Sequence, residues 1–127
     1  MKKLCALRGA FCCLNDGEDI IRETAACYDR LLEENQLAEG DIVSLLFSVT
    51  PDINALNPAA ALRRSGRGGE LALFVQQEPV FQGGLRRVIR LLIHCYLEEG
   101  RPPRHVYQNG AEVLRPDRTP IPPVSRE

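Results

Sequence analysis

Residues 83–96 read GGLRRVIRLLIHCY, and the fold turns on how they are read. Leu85, Val88, Ile89, Leu92, Ile93 and Tyr96 recur at helical spacing. At about 100° per residue they fill one stripe, which predicts a helix opening after the Gly83-Gly84 turn. Arg90 then lies at the edge of that stripe and Arg87 points away from it. Just upstream, Leu71 to Val75 reads as a short apolar strand, with Glu78 past its end. A charged residue flanking a core must meet something polar. Glu78, which accepts hydrogen bonds, and Arg90, a planar fork of donors, are therefore candidates for one pocket.

Working outward, Lys3 to Gly9 predicts a first strand. Asp16, with Asp19 three places on, offers a helix N-cap. Ile20, Ile21, Thr24, Cys27, Tyr28, Leu31 and Leu32 continue that helix to about Asn35. Asp41 to Thr50 is almost continuously apolar, the pattern of a central strand buried on both faces. Asn57-Pro58 starts a short helix over residues 59–65, with asparagine as cap and proline at the first helical position. After Arg101-Pro102-Pro103, the Asn109-Gly110 step between His105–Gln108 and Ala111–Leu114 predicts a hairpin. The sum is an α+β fold: a mixed sheet of about five strands with the helices on one face. Residues 1–115 read as a single domain and 116–127 as a proline-rich, extended tail. The opposite sheet face also reads as apolar, so a chain this small is expected to oligomerise.

Composition excludes several classes. A net charge of −1 gives no electrostatic footprint for nucleic acid or an anionic membrane. The apolar run at residues 4–7 stops at Arg8, too short for a signal peptide, and no run could span a bilayer. Five cysteines occur without a CxxC pair or metal-type spacing against His94 or His105. Cys5, Cys27 and Cys95 sit in apolar patterns, as small core residues of a reducing, cytoplasmic compartment. No metal site and no cofactor motif is present. Ser44, Ser48 and Ser65 lack a nucleophile elbow, and neither histidine is placed beside a serine. What remains is a set of arginines at element ends, Arg8, Arg63, Arg90 and Arg115, together with Glu78 and Tyr107. Each alone is compatible with an ordinary solvated surface.

Taken in order, short motifs change that reading. They are Leu7-Arg8-Gly9-Ala10, Ser48-Val49-Thr50-Pro51-Asp52, Gln77-Glu78, Gly83-Gly84-Leu85 and Ile89-Arg90, then Arg104-His105-Val106-Tyr107 and Val113-Leu114-Arg115-Pro116-Asp117. From Leu4 to about Asp117 the chain resembles the small monofunctional AroH-class chorismate mutases. The resemblance implies a trimeric pseudo-α/β-barrel that converts chorismate to prephenate by an intramolecular Claisen rearrangement. That reaction needs neither a nucleophile nor a cofactor, only a held conformer and stabilised charge. By resemblance, Arg90 donates to the ether oxygen, Glu78 accepts from the ring hydroxyl, and Arg8 and Tyr107 hold carboxylates. Arg63 and Arg115 supply positive charge at the mouth, and the Asn57–Arg63 segment comes from a neighbouring subunit.

Two positions depart from the family: Val75 stands where cysteine is usual, and Asn57 where an apolar aromatic is usual. A backbone contact from residue 75 survives, but a thiol contact does not. An asparagine at 57 improves the helix cap and puts an amide beside the ring. The same scaffold also allows a second reading, a non-catalytic trimer that senses a small carboxylate. The tail beyond Arg115 is expected to order over the site when ligand binds.

Overall fold

A computed structural model describes residues 1–114. Strand β1 (Lys2–Cys12) leads into helix α1 (Gly17–Asn35) and then β2 (Ile42–Val49). Helix α2 (Pro58–Arg64) and β3 (Leu73–Gln77) follow. The chain then forms β4 (Val88–Glu98), β5 (Val106–Gln108) and a 3-10 turn at Ala111–Leu114. The strands form one mixed sheet in the order β3-β2-β4-β1-β5. β1 and β2 both run antiparallel to β4, while β3 and β5 pair parallel with β2 and β1.

The largest correction concerns residues 85–96, which form the middle strand of the sheet and not a helix. The apolar residues satisfy two periods at once. Ile89, Leu91, Ile93, Cys95 and Leu97 alternate without a break and are each at most 3% exposed. A run this apolar cannot be assigned by periodicity alone. Backbone pairing decides it, because β4 pairs along its whole length with β1 and over Ile89–Cys95 with β2. Arg90 therefore projects from a strand, on the face opposite Ile89 and Leu91.

The second correction concerns the hairpin. Asn109 and Gly110 do take the left-handed conformations the turn requires, with φ of 54° and 99°. No return strand forms, however. β5 pairs parallel with β1, and residues 111–114 wind into a 3-10 turn that buries Ala111. The opposition of Tyr107 to Glu112 implied by a hairpin does not exist. The sheet still has five strands, but β4 supplies the fifth.

Both helices pack on one face, as expected. Asp16 caps α1 by accepting from the Asp19 N–H, and Asn57 caps α2 by accepting from the Ala59 N–H at 2.8 Å. Ile20, Cys27, Tyr28 and Leu31 of α1 join Leu7, Phe11, Phe47 and Ile93 of the sheet in one core. Gly9 lets α1 approach closely: a Cβ there would stand 2.7 Å from Leu31 Cδ1 and 3.1 Å from Cys27 Sγ. Gly9→Ala should therefore lower stability by about 1–3 kcal/mol. Thermal unfolding checks this, and an unchanged midpoint would show that Leu31 can move aside.

The other sheet face is mixed rather than wholly apolar. Ser44 and Ser48 of β2 lie on it, so the strand expected to lack a polar side has one. Leu4, Phe74 and Tyr96 are exposed on this face, and Leu46 and Leu92 are half-buried there. Among the described residues, nothing covers it.

Candidate active site

The sheet register builds one row of side chains across this uncovered face. Tyr107 on β5 lies opposite Ala10 on β1, and Ala10 lies opposite Arg90 on β4. Arg90 in turn lies opposite Ser48 on β2, and Ser48 opposite Gln76 on β3. Adjacent strands are about 4.8 Å apart, so Tyr107 and Arg90 are roughly 10 Å apart at the backbone, with Ala10 between them. Arg8 sits one pleat along β1, opposite Leu92. These residues line a cleft of about 350 Å³ with Leu46 and Leu114 on its walls. Ala10 is 1% exposed and forms its floor, so a larger side chain there would fill it.

Glu78 lies just beyond β3. Its N–H donates to the Val49 carbonyl at 2.9 Å, extending the β2–β3 ladder by one bond. Its carboxylate accepts from Arg90 Nε, at 2.9 Å on Oε2 and 3.3 Å on Oε1. Ser48 Oγ also donates to Oε2, at 2.7 Å. Arg90 is 43% exposed in its side chain and Glu78 15%. Among the described residues, no hydrogen bond engages the terminal nitrogens of Arg90. The guanidinium borders both the main cleft and a second one of about 240 Å³, which Glu78 also lines. The two charges thus meet as the sequence suggested, though between two strands rather than across a helix flank.

The sequence motifs that surround these residues hold the elements carrying them. Thr50 Oγ1 accepts from the Val88 N–H at 2.9 Å, and Asp52 accepts from the Arg87 N–H at 3.0 Å on each oxygen. These bonds fix the start of β4 just ahead of Arg90. Burial alone would push Asp52 up, but the bonds from Thr50 and the Arg87 N–H outweigh it and hold the carboxyl below its ordinary value. On the far side, Asn35 closes α1 onto the chain entering β5, accepting from the Arg104 N–H at 2.8 Å and donating to its carbonyl at 2.9 Å. The Arg8 N–H donates to His105 Nδ1 at 3.0 Å. The neutral ring then carries its proton on Nε2. Tyr107 is thereby set two residues past a tethered histidine.

The remaining candidates lie elsewhere. Val75 is half-buried and packs against the core on the helix side of the sheet, so its side chain faces away from the cleft. Asn57 caps α2, and its side-chain oxygen is occupied by the helix N–H groups. Arg63 is exposed on α2 and donates to the Leu71 carbonyl at 3.1 Å. Neither Asn57 nor Arg63 lines the cleft of its own chain. Arg115 and the 116–127 tail lie outside the described residues. Sequence reasoning missed Ser48, Gln76, Ala10 and Leu92 as site residues. Leu92 alternates with Arg90 along β4, a signal that the helical reading hid, while Ser48, Gln76 and Ala10 join Arg90 through cross-strand register.

One negative reading also needs correcting: His94 Nδ1 does lie beside Ser44 Oγ, 3.1 Å away across β2 and β4. Among the described residues no His, Cys, Asp or Glu cluster is arranged to hold a metal ion. What this cleft and the adjoining one that shares Arg90 offer is cationic donors, a phenol and one oriented carboxylate over an apolar floor. Such a site suits a small anion that needs holding and charge stabilisation.

Comparison with known proteins points the same way. A family model described as chorismate mutase type I matches residues 4–118. A Bacillus subtilis (strain 168) protein named chorismate mutase AroH is 34% identical over 113 residues, covering 87% of this chain and 89% of that protein. A Thermus thermophilus protein of the same name is 32% identical over 114 residues, covering 87% and 93%. Among solved structures, a chorismate mutase from Clostridium thermocellum superposes with a TM-score of 0.80 at 37% identity. That match covers 87% of this chain and 99% of the other.

Proposed function

The chain belongs to the type I chorismate mutase family, and on that premise we propose that it isomerises chorismate to prephenate in the cleft beneath Arg90. The reaction breaks a C–O bond and forms a C–C bond within one dianion, and no proton changes hands. The enzyme must hold the diaxial conformer and answer the negative charge that grows on the ether oxygen. Arg90 does the second task. Its Nε stays tied to Glu78, which aims the terminal nitrogens into the cleft as a fork. Glu78 accepts from the ring hydroxyl. Arg8 and Tyr107 lie along the same face and bind carboxylates. The observation that carries this reading is the Tyr107–Ala10–Arg90–Ser48 row with Glu78 locked to its cation. The test is the fall in chorismate absorbance on adding purified protein; a rate no faster than buffer would remove the proposal. Nothing in the cleft favours the carboxylate-sensing alternative.

The working assembly is a homotrimer closed on the uncovered sheet face, with the Asn57–Arg63 segment of one subunit completing the site of the next. Exposed Phe74 and Leu4 support this, as does the absence of Asn57 and Arg63 from their own chain's cleft. Arg115 belongs at the mouth with them. Sedimentation should give a mass of three chains, and Phe74→Asp should shift it toward one chain while the far-ultraviolet spectrum stays folded. A wild-type monomer at micromolar concentration would refute the assembly. None of the five cysteines is in a disulfide, which supports a cytoplasmic setting. Among the described residues, no helix is long and apolar enough to cross a membrane.

A further inference from the structure

We infer that Ser48 is a positioning residue that fixes the plane of the Glu78 carboxylate and so keeps one of its oxygens turned to the substrate; this rests on the chorismate mutase reading above. Glu78 is placed where the sheet gives out. Its N–H makes a bond to Val49, and Pro79 through Gly84 beyond it are all exposed. Backbone pairing therefore cannot orient the carboxylate, and lateral bonds must. Two donors supply them, Ser48 Oγ at 2.7 Å and Arg90 Nε at 2.9 Å, and both converge on Oε2. Among the described residues, Oε1 keeps only the longer 3.3 Å contact to the same nitrogen. Oε2 is thus occupied and Oε1 is the acceptor left for a substrate hydroxyl.

Arg90 alone does not fix this choice. Its Nε reaches both oxygens, and a single donor leaves the carboxylate plane free to swing about it. The serine adds a second anchor from the neighbouring strand, and two separate donors hold the plane that one does not. Register makes this possible: Ser48 stands directly opposite Arg90 on the neighbouring strand, so one pair of backbone positions sets both donors. Alanine at position 48 would preserve the strand and lose the second anchor. A hydroxyl on a β-branched residue would keep both, since threonine suits a strand.

The test is a double-mutant cycle read by steady-state kinetics. Ser48→Ala should lower kcat/KM roughly tenfold, the equivalent of one charge-assisted hydrogen bond. Its thermal midpoint should stay that of wild type. In a Glu78→Ala background the same change should have no further effect, because the group it acts through is gone. Ser48→Thr should recover most of the loss, which a mere packing role for serine would not allow. Full activity in Ser48→Ala, or an equal tenfold drop without Glu78, would overturn the inference and leave the chorismate mutase reading standing. An inert wild type would instead remove that reading.

Discussion

Arg90→Lys should lower kcat by about 10²–10³, the loss typical when an enzyme forfeits a preorganised donor to a developing oxyanion. Charge is conserved in this substitution, so the loss isolates geometry. Arg90 makes two uses of one planar group: Nε binds Glu78 while the terminal nitrogens stay available. An ammonium is a single point with three rotatable donors, and Glu78 lies within its reach. It would settle on the carboxylate and withdraw from the substrate. Folding should be little affected, because the side chain is partly exposed and its inward neighbours Ile89 and Leu91 are untouched. The rate under saturating chorismate checks the prediction, alongside a thermal melt. Near wild-type turnover would mean that the site needs only bulk charge.

Phe47→Ala should cost about 3–5 kcal/mol of folding stability, whereas Phe74→Ala should cost far less in a monomer. Both side chains are phenyl rings on neighbouring strands, yet they point to opposite faces of one sheet. Phe47 is 1% exposed among α1, α2 and the inner residues of β4. Phe74 is 60% exposed on the face that carries the cleft. Truncating the first leaves a cavity in the core; truncating the second removes only partly wet contacts. If the trimer closes on that face, Phe74→Ala acts through assembly, and its effect grows as protein is diluted. Urea unfolding at two protein concentrations separates the cases. Equal, concentration-independent losses would contradict the assignment of the faces.

Much of the fold was legible where one local signal had no competitor. Asp16 and Asn57 announced their helices by cap chemistry, and both caps are made. The Ile42–Val49 strand announced itself by apolar content before Pro51. Residues 85–96 were not legible in the same way, because their apolar positions serve a helix stripe and a strand face equally well. Cap chemistry could have arbitrated, since Gly83-Gly84-Leu85 offers no side-chain oxygen to start a helix. Asn109-Gly110 shows the complementary limit. Its turn chemistry was read correctly, but the path of the chain beyond a turn is set by the strand edges and apolar surfaces within its reach. For the site, pattern alone joined Glu78 to Arg90, while Arg8, Tyr107, Arg63 and Arg115 came from family resemblance. Ser48 escaped both routes, because its contribution depends on a cross-strand neighbour 42 positions away in a strand read as a helix.

The two charged partners also belong to parts of the molecule with very different opening free energies. Arg90 rides on the middle strand, whose amides open only when the whole sheet does. Glu78 leads into the exposed segment 79–84, which can open without disturbing the core. The site is therefore a hard jaw facing a soft one. In the proposed site, substrate binding should have little to order on the arginine side, and its entropic burden should fall mostly on the glutamate's loop. Rate can then be tuned by stiffening that loop, through residues that never touch the substrate and without any change to the core.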